Sequence, residues 1–471
     1  MRRLLLAVAL ATGLAAAAAS TPAAASTPAL AQTAQARSAQ DEPVQAAAPE
    51  AAAATGTAAG TAAGTAAGTQ EEAARGRSGG NDRYKRVGYF IQWGVYGRNF
   101  HVKDLDTSGA AAKLTHINYA FGFVGAEGTC YSADPWADWQ RGVPAEQSVD
   151  GVADGDDQAL KGNLNQLRKL KAKHPNLKVL ISLGGWSGSK YFSDAVLTPQ
   201  SRATLAASCV DLWLKGNLPG LPEGTGAGIF DGIDLDWEWP GSSGNDGNII
   251  RPEDKQNFTL FLSELRRQMT AVDRHSELTA FLPAAAAKID AGFEVGPVFR
   301  QLDFATVQGY DLHGSWELRT GHNGNLLTDR RDPNPVRFSV DQTVKDYVSR
   351  GAPKNKIVIG VPAYGQGWTG VRSSGNGLYA AATGPAPGTF AAGTEDYKIL
   401  AGKPGKRYRD LLTGTLWLYD GNEFWSYDDP AVLVQKAAYI RLKGLGGSMM
   451  WSLDQDDAKA SLTSALYSVL R

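Results

Sequence analysis

The chain has 471 residues, 43% of them hydrophobic and 20% charged, and 47 Lys+Arg against 48 Asp+Glu leave a formal net charge of −1. That balance excludes the basic excess with which nucleic-acid and anionic-membrane binders hold their partners, so neither partner is expected. Two cysteines, Cys130 and Cys209, are too few for a disulfide scaffold, and six histidines with no HExxH and no pair at ligand spacing give no reason to expect a metal.

Arg2 and Arg3 precede an apolar run from Leu4 to Ala19, and small residues from Ala23 to Ala25 offer a cleavage site. Together they predict a secretory signal peptide over residues 1–25 and an extracellular product. The run is Ala-rich and short for a bilayer span, and no other stretch is long and apolar enough to be one. Residues 26–80 are Ala, Thr, Gly, Pro and Gln, with a TAAG repeat from Thr57 to Gly68. Such a segment buries too little apolar surface to offset its ordering entropy, which predicts a disordered leader and a folded part over residues 81–471.

Within that part, short β-rich runs alternate with helical patterns. Strands are predicted at Arg86 to Gln92, His116 to Val124, Lys178 to Leu183, Gly232 to Glu238, Leu278 to Leu282, Phe304 to Tyr310, Lys356 to Pro362 and Gly447 to Leu453. Helical periodicity falls at Asp157 to Lys173, Gln200 to Lys215, Pro252 to Asp273, Ser339 to Ser349, Pro430 to Lys443 and Asp457 to Leu470. Eight βα units predict an α/β fold, a (β/α)8 TIM barrel, with its site at the C-terminal ends of the strands. An open doubly wound sheet would normally carry a phosphate-binding turn after its first strand, and Gln92-Trp93-Gly94-Val95 is not one. Residues 363–429 interrupt the rhythm between the seventh strand and its helix, with a hairpin around Asp420-Gly421. So long a connection predicts a small α+β insertion domain beside the site.

The fourth strand carries the chemistry. In Asp231-Gly232-Ile233-Asp234-Leu235-Asp236-Trp237-Glu238, alternation places Asp234, Asp236 and Glu238 on one face and Ile233, Leu235 and Trp237 on the other. Three carboxylates about 7 Å apart along an interior face cannot all ionise cheaply, which is how a carboxyl is kept protonated as a general acid. A solvated strand face would not alternate with Ile, Leu and Trp, and a divalent-metal site would want a second acidic cluster or a histidine.

Asp231, Asp234, Asp236 and Glu238 match the DxxDxDxE motif, and here the chain resembles the family 18 glycoside hydrolases, the chitinases, in particular bacterial members with an insertion domain. The resemblance extends through Gly88-Tyr89-Phe90 and Trp93-Gly94-Val95-Tyr96-Gly97-Arg98, Ser182-Leu183-Gly184-Gly185-Trp186, Gln308-Gly309-Tyr310-Asp311, Tyr364-Gly365-Gln366-Gly367-Trp368 and Met450-Trp451-Ser452. It implies a retaining enzyme without metal or cofactor, acting as a monomer on chitin or chitooligosaccharides, in which the substrate's 2-acetamido oxygen is the nucleophile. By the resemblance, Glu238 is acid and then base, Asp236 orients the acetamide, Asp234 and Asp231 tune it from below, Tyr310 donates to the acetamide carbonyl and Asp311 binds near the distorted sugar. Trp451 is expected to floor the site. Trp93, Trp186 and Trp368 are expected as sugar platforms, with Gln308 and Tyr364 as further substrate contacts.

Trp213 and Trp237 fall on predicted core faces. Gly365-Gln366-Gly367-Trp368-Thr369-Gly370 fits a dinucleotide-binding pattern, but no amphipathic helix opens after it and a Trp in the turn would obstruct a pyrophosphate. Whether Cys130 and Cys209 are bridged stays open at this level. A non-hydrolytic chitin-binding protein is disfavoured by the intact Asp236 and Glu238, and an endo-β-N-acetylglucosaminidase acting on N-glycans by the row of tryptophans.

Overall fold

The computed structural model describes residues 83–471; the predicted signal peptide and the whole of the predicted leader lie outside them. Eight parallel strands form the core: Lys85–Ile91, His116–Val124, Lys178–Gly184, Gly232–Asp236, Glu277–Leu282, Phe304–Val307, Ile357–Pro362 and Gly447–Trp451. They pair in chain order, and the first strand closes the ring on both sides, Lys85 opposite Gly447 and Val87 opposite His116. The ring is a (β/α)8 barrel, as the strand count predicts.

Helices cover the outside through apolar stripes. In the helix Asp254–Val272, Phe258, Phe261, Leu262, Leu265 and Met269 are buried, a spacing of three and four that gives one inward face. The helix Pro430–Lys443 matches its predicted bounds because both ends are signalled locally. Asp429 Oδ1 accepts from the Val432 amide at 3.0 Å, Pro430 needs no amide partner, and Gly444 ends the helix in the left-handed region at φ 69°. Links that read as obscure in sequence are short: Val102–Thr107 after the first strand, and Ala286–Gly292 with Val295–Gln301 after the fifth.

Four strands end earlier than predicted: the first at Ile91, the eighth at Trp451, and the two that carry the site, the fourth and sixth. The fourth stops at Asp236 because the third strand pairs with it only as far as Gly184 opposite Asp236, and the fifth only as far as Ala280 opposite Leu235. The sixth stops at Val307, so Gln308, Tyr310 and Asp311 stand on the loop above the barrel.

After the seventh strand the chain enters a second, antiparallel sheet of six strands: Tyr364–Thr369, Gly384–Pro385, Thr394–Asp396, Lys406–Asp410, Thr415–Tyr419 and Phe424–Tyr427. Trp368, Val371, Trp417, Tyr419 and Phe424 form an apolar cluster of their own within it. Arg98, from the loop after the first barrel strand, bonds Asp396 of this sheet at 3.0 Å and Asp454 of the loop after the eighth strand at 2.9 Å.

Cys130 and Cys209 are disulfide-bonded. The bridge ties Cys130–Ser132, a short strand antiparallel to the second barrel strand, to the helix Pro199–Cys209. No helix among the described residues is long and apolar enough to cross a membrane.

Candidate active site

Asp234 is fully buried inside the barrel. Its Oδ2 accepts from Tyr89 of the first strand and Ser182 of the third, each at 2.8 Å, and its Oδ1 accepts from Thr279 of the fifth. Burial pushes its proton affinity up, and these donors, which favour the carboxylate, push it back. Asp236, one inward position higher, is raised well above the ordinary carboxylate range by burial and then by the charges of Glu238 and Asp234. Glu238, 5% exposed, is pushed up to about 8 by burial, with Lys288 opposing and Asp311 adding to the shift. Asp236 and Glu238 therefore hold a proton between them at neutral pH.

The third strand explains why these acids are held so firmly. At its exit Gly184 has φ 113°, and a Cβ there would stand 2.3 Å from the Asp236 carbonyl oxygen, so only glycine lets the two strands approach. Ser189 Oγ accepts from the Glu238 amide at 2.9 Å and donates to the Gly185 carbonyl at 2.7 Å. Asn248 Nδ2 donates to the Glu238 carbonyl at 2.9 Å. The backbone of Glu238 is thus fixed on both sides although it lies beyond the sheet.

Above the acids opens a cavity lined by Trp186, Glu238, Gln308, Tyr310, Asp311, Tyr364 and Trp451, together with Trp239, Phe281, Lys288 and Phe338. Asp311 is pushed up to about 6 by burial, against which Tyr364 donates to its Oδ1 at 2.6 Å and Gln366 at 2.8 Å. Gln308 Oε1 accepts from the Ala284 amide at 3.1 Å. Trp451 lies at 5.8 Å and 17° to Phe121, and Phe121 at 6.1 Å and 27° to Trp93, so an aromatic row leads from the cavity to partly exposed Trp93. Asp236 Oδ1 and Glu238 Oε1 are buried without a hydrogen-bond partner among the described residues. Two such oxygens beside aromatic faces suit a ligand that carries both an N–H or O–H and flat apolar faces, as a sugar does.

Two expectations need correction. Trp368 does not reach the cavity: it is fully buried in the apolar cluster of the second sheet, its Nε1 donating to the Glu317 carbonyl at 3.0 Å, with no face left for a sugar. Asp231 does not sit beneath the acids. It precedes the fourth strand, where its Oδ2 pairs with Lys171 and accepts from the Val179 amide, both at 2.8 Å. Trp213 and Trp237 are core residues, as expected.

Sequence reasoning missed Phe281, Trp239, Phe338 and Lys288. Phe281 was within reach of the alternation rule, since it shares a strand face with Thr279, which bonds Asp234. Trp239 follows Glu238 directly, and its ring lies 5.6 Å from that of Phe281 at a tilt of 35°. Phe338 and Lys288 carry no local signal.

A barrel with this acid ladder defines a glycoside hydrolase, and the chain belongs to glycosyl hydrolases family 18, whose model matches residues 85–456. It is 41% identical over 377 residues to chitinase C of Streptomyces lividans, covering 79% of this chain and 57% of that protein. To chitinase 63 of Streptomyces plicatus it is 39% identical over 390 residues, covering 82% and 60%. The chain thus spans less than two thirds of the length of these curated relatives. Among solved structures, the catalytic domain of psychrophilic chitinase B from Arthrobacter TAD20 is 45% identical, with a TM-score of 0.80 over 83% of this chain and 96% of that one.

Proposed function

We propose that the protein is a secreted chitinase, hydrolysing the β-1,4 linkages of N-acetylglucosamine polymers and oligomers with retention through substrate-assisted catalysis. The observation that carries this reading is the buried pair Asp236 and Glu238, each with an unpartnered oxygen, under an aromatic-lined cavity. The chitinase names of its family 18 relatives support the substrate class.

The chemistry runs as follows. Glu238, protonated at neutral pH because it is buried among acids, gives its proton to the glycosidic oxygen as that bond breaks. The acetamido carbonyl oxygen of the same sugar attacks the anomeric carbon and closes an oxazolinium ring. Asp236 takes the acetamide N–H and offsets the positive charge, while the Tyr310 hydroxyl holds the carbonyl side. Glu238, now a carboxylate, removes a proton from water as the water opens the ring, and the configuration is retained. Asp234, anchored by Tyr89, Ser182 and Thr279, fixes the charge below Asp236. Trp451 and Trp186 stack on the sugar faces, and Trp93 extends the platform.

We read the six-stranded sheet as an insertion domain that walls the cleft, with Arg98 pinning it to the barrel loops. Secretion is supported by the basic and apolar N-terminal pattern and by the Cys130–Cys209 bridge, which suits an oxidising compartment. The protein then works as a monomer on a polysaccharide.

Product analysis on chitooligosaccharides beside an N-glycosylated protein tests the reading. It predicts β-anomeric chitooligosaccharide products and an untouched glycoprotein. Release of N-glycans with intact chitooligosaccharides would make it an endo-β-N-acetylglucosaminidase, and tight binding without any product a chitin-binding protein.

A further inference from the structure

Lys288 reaches the cavity from the short helix Ala286–Gly292 that follows the fifth barrel strand. A lysine on a short helix ordinarily extends into water. Here the side chain is half-buried, its Nζ lies 5.2 Å over the ring of Trp239, and it lines the same cavity as Glu238. Among the described residues it makes no close ion pair with any carboxylate, so its charge is not spent on a structural partner.

We propose that Lys288 is a positioning residue for Glu238: its positive charge, held against Trp239 in the shared cavity, restrains the proton affinity of Glu238 and so sets the alkaline limit of turnover. The proposal rests on the reading of Glu238 as acid and base. The other groups around Glu238 all work in the opposite direction or are neutral. Asp234 and Asp236 precede it on the fourth strand, Tyr310 and Asp311 face it from above the sixth strand, and Tyr364 comes from the second sheet. Burial and Asp311 drive Glu238 upward, and Lys288 is the cation that opposes them. Lys288 is itself drawn down to about 8 by burial, with the Glu238 charge pulling it back up, so it stays largely charged over the range in which Glu238 must carry its proton. One carboxyl that must first donate and then accept a proton works best with an affinity near the operating pH, and an unopposed Glu238 among these acids would hold its proton too firmly. A half-buried charge is screened less than one in open solvent.

The test is the pH profile of kcat/KM on a chitooligosaccharide with a chromogenic leaving group, for the wild type, Lys288→Met and Lys288→Arg. Removing the charge should move the alkaline limb of Lys288→Met upward by roughly half to one pH unit and lower the plateau kcat about threefold to tenfold. Lys288→Arg keeps the charge and should leave the limb where the wild type has it. An unmoved limb in Lys288→Met, or a limb moved equally far in Lys288→Arg, would overturn the proposal in favour of plain packing. Should Lys288→Met fail to fold, Lys288→Gln is read by the same criteria. Glu238→Gln run alongside separates the two levels. If it still turns over, the reading of Glu238 fails; if it is inactive and the Lys288→Met limb stays put, only the role of Lys288 fails.

Discussion

The Tyr89 hydroxyl, carried on the first barrel strand, donates to Asp234 Oδ2 on the fourth at 2.8 Å, across the interior of a closed barrel. The contact favours the charged form of the lowest acid of the ladder, against the burial that raises its proton affinity. Tyr89→Phe should therefore lower kcat by about tenfold, the cost of one hydrogen bond to a charged group, with KM changed much less. Steady-state kinetics with a thermal melt as control checks this. A loss confined to KM would place Tyr89 in sugar binding instead.

The pH profile follows from two groups moved in the same direction for use in opposite forms. As the proposed acid, Glu238 must act protonated, and it is pushed up to about 8, so kcat/KM should fall as pH rises through about 8. Asp311 is pushed up to about 6 and accepts from Tyr364 and Gln366 as the carboxylate, so activity should fall as pH drops through about 6. Both hydrogen bonds favour the charged form, so Tyr364→Phe should shift the acid limb upward and leave the alkaline limb in place.

Trp368 and Trp93 should part company under mutation. Trp368→Ala removes a fully buried indole and should cost about 3–5 kcal/mol of stability, with equal fractional loss on short and long substrates. Trp93 is partly exposed on the aromatic row beyond Phe121, and Trp93→Ala should reduce hydrolysis of long or insoluble chitin more than of the trimer. Side-by-side rates on trimer and polymer, with melting curves, decide both.

The disulfide closes a sequence separation of 79 residues. Its reduction should destabilise the fold by about 4 kcal/mol in the chain-entropy account and lower Tm by roughly 5 °C, with kcat at 25 °C unchanged because neither sulfur approaches the cavity. Calorimetry with and without reductant, and a Cys130→Ser, Cys209→Ser double variant, measure it.

What could be read ahead of the structure was set by periodicity. Ile233, Leu235 and Trp237 alternate with Asp234, Asp236 and Glu238, so the inward face of the fourth strand was visible in the text itself, as was the helix whose Asp429, Pro430 and Gly444 mark its ends. Trp368 misled because Gly365 and Gly367 read as loop. They are instead the thin places of a strand: a Cβ on Gly367 would stand 2.4 Å from the Trp425 ring, and one on Gly365 2.5 Å from Leu400. Asp231 shares the motif spacing yet stands at the opposite end of the strand, where Lys171 takes it. Lys288 and Phe338 were illegible, since no local pattern shows which short helix or loop lines the cavity above the barrel. Cys130 and Cys209 became a pair only once the second strand's hairpin met the helix Pro199–Cys209.

In the proposed mechanism Glu238 alone delivers the proton, and binding does not depend on it. Glu238→Gln keeps the shape of the side chain and removes the acid. Turnover of chitotetraose by this variant, measured beside its affinity by calorimetry, is the most direct test. The expected result is a loss of about 10³-fold or more in kcat, with Kd within a few-fold of the wild type. Turnover within tenfold of the wild type, from a variant that binds normally, would contradict it.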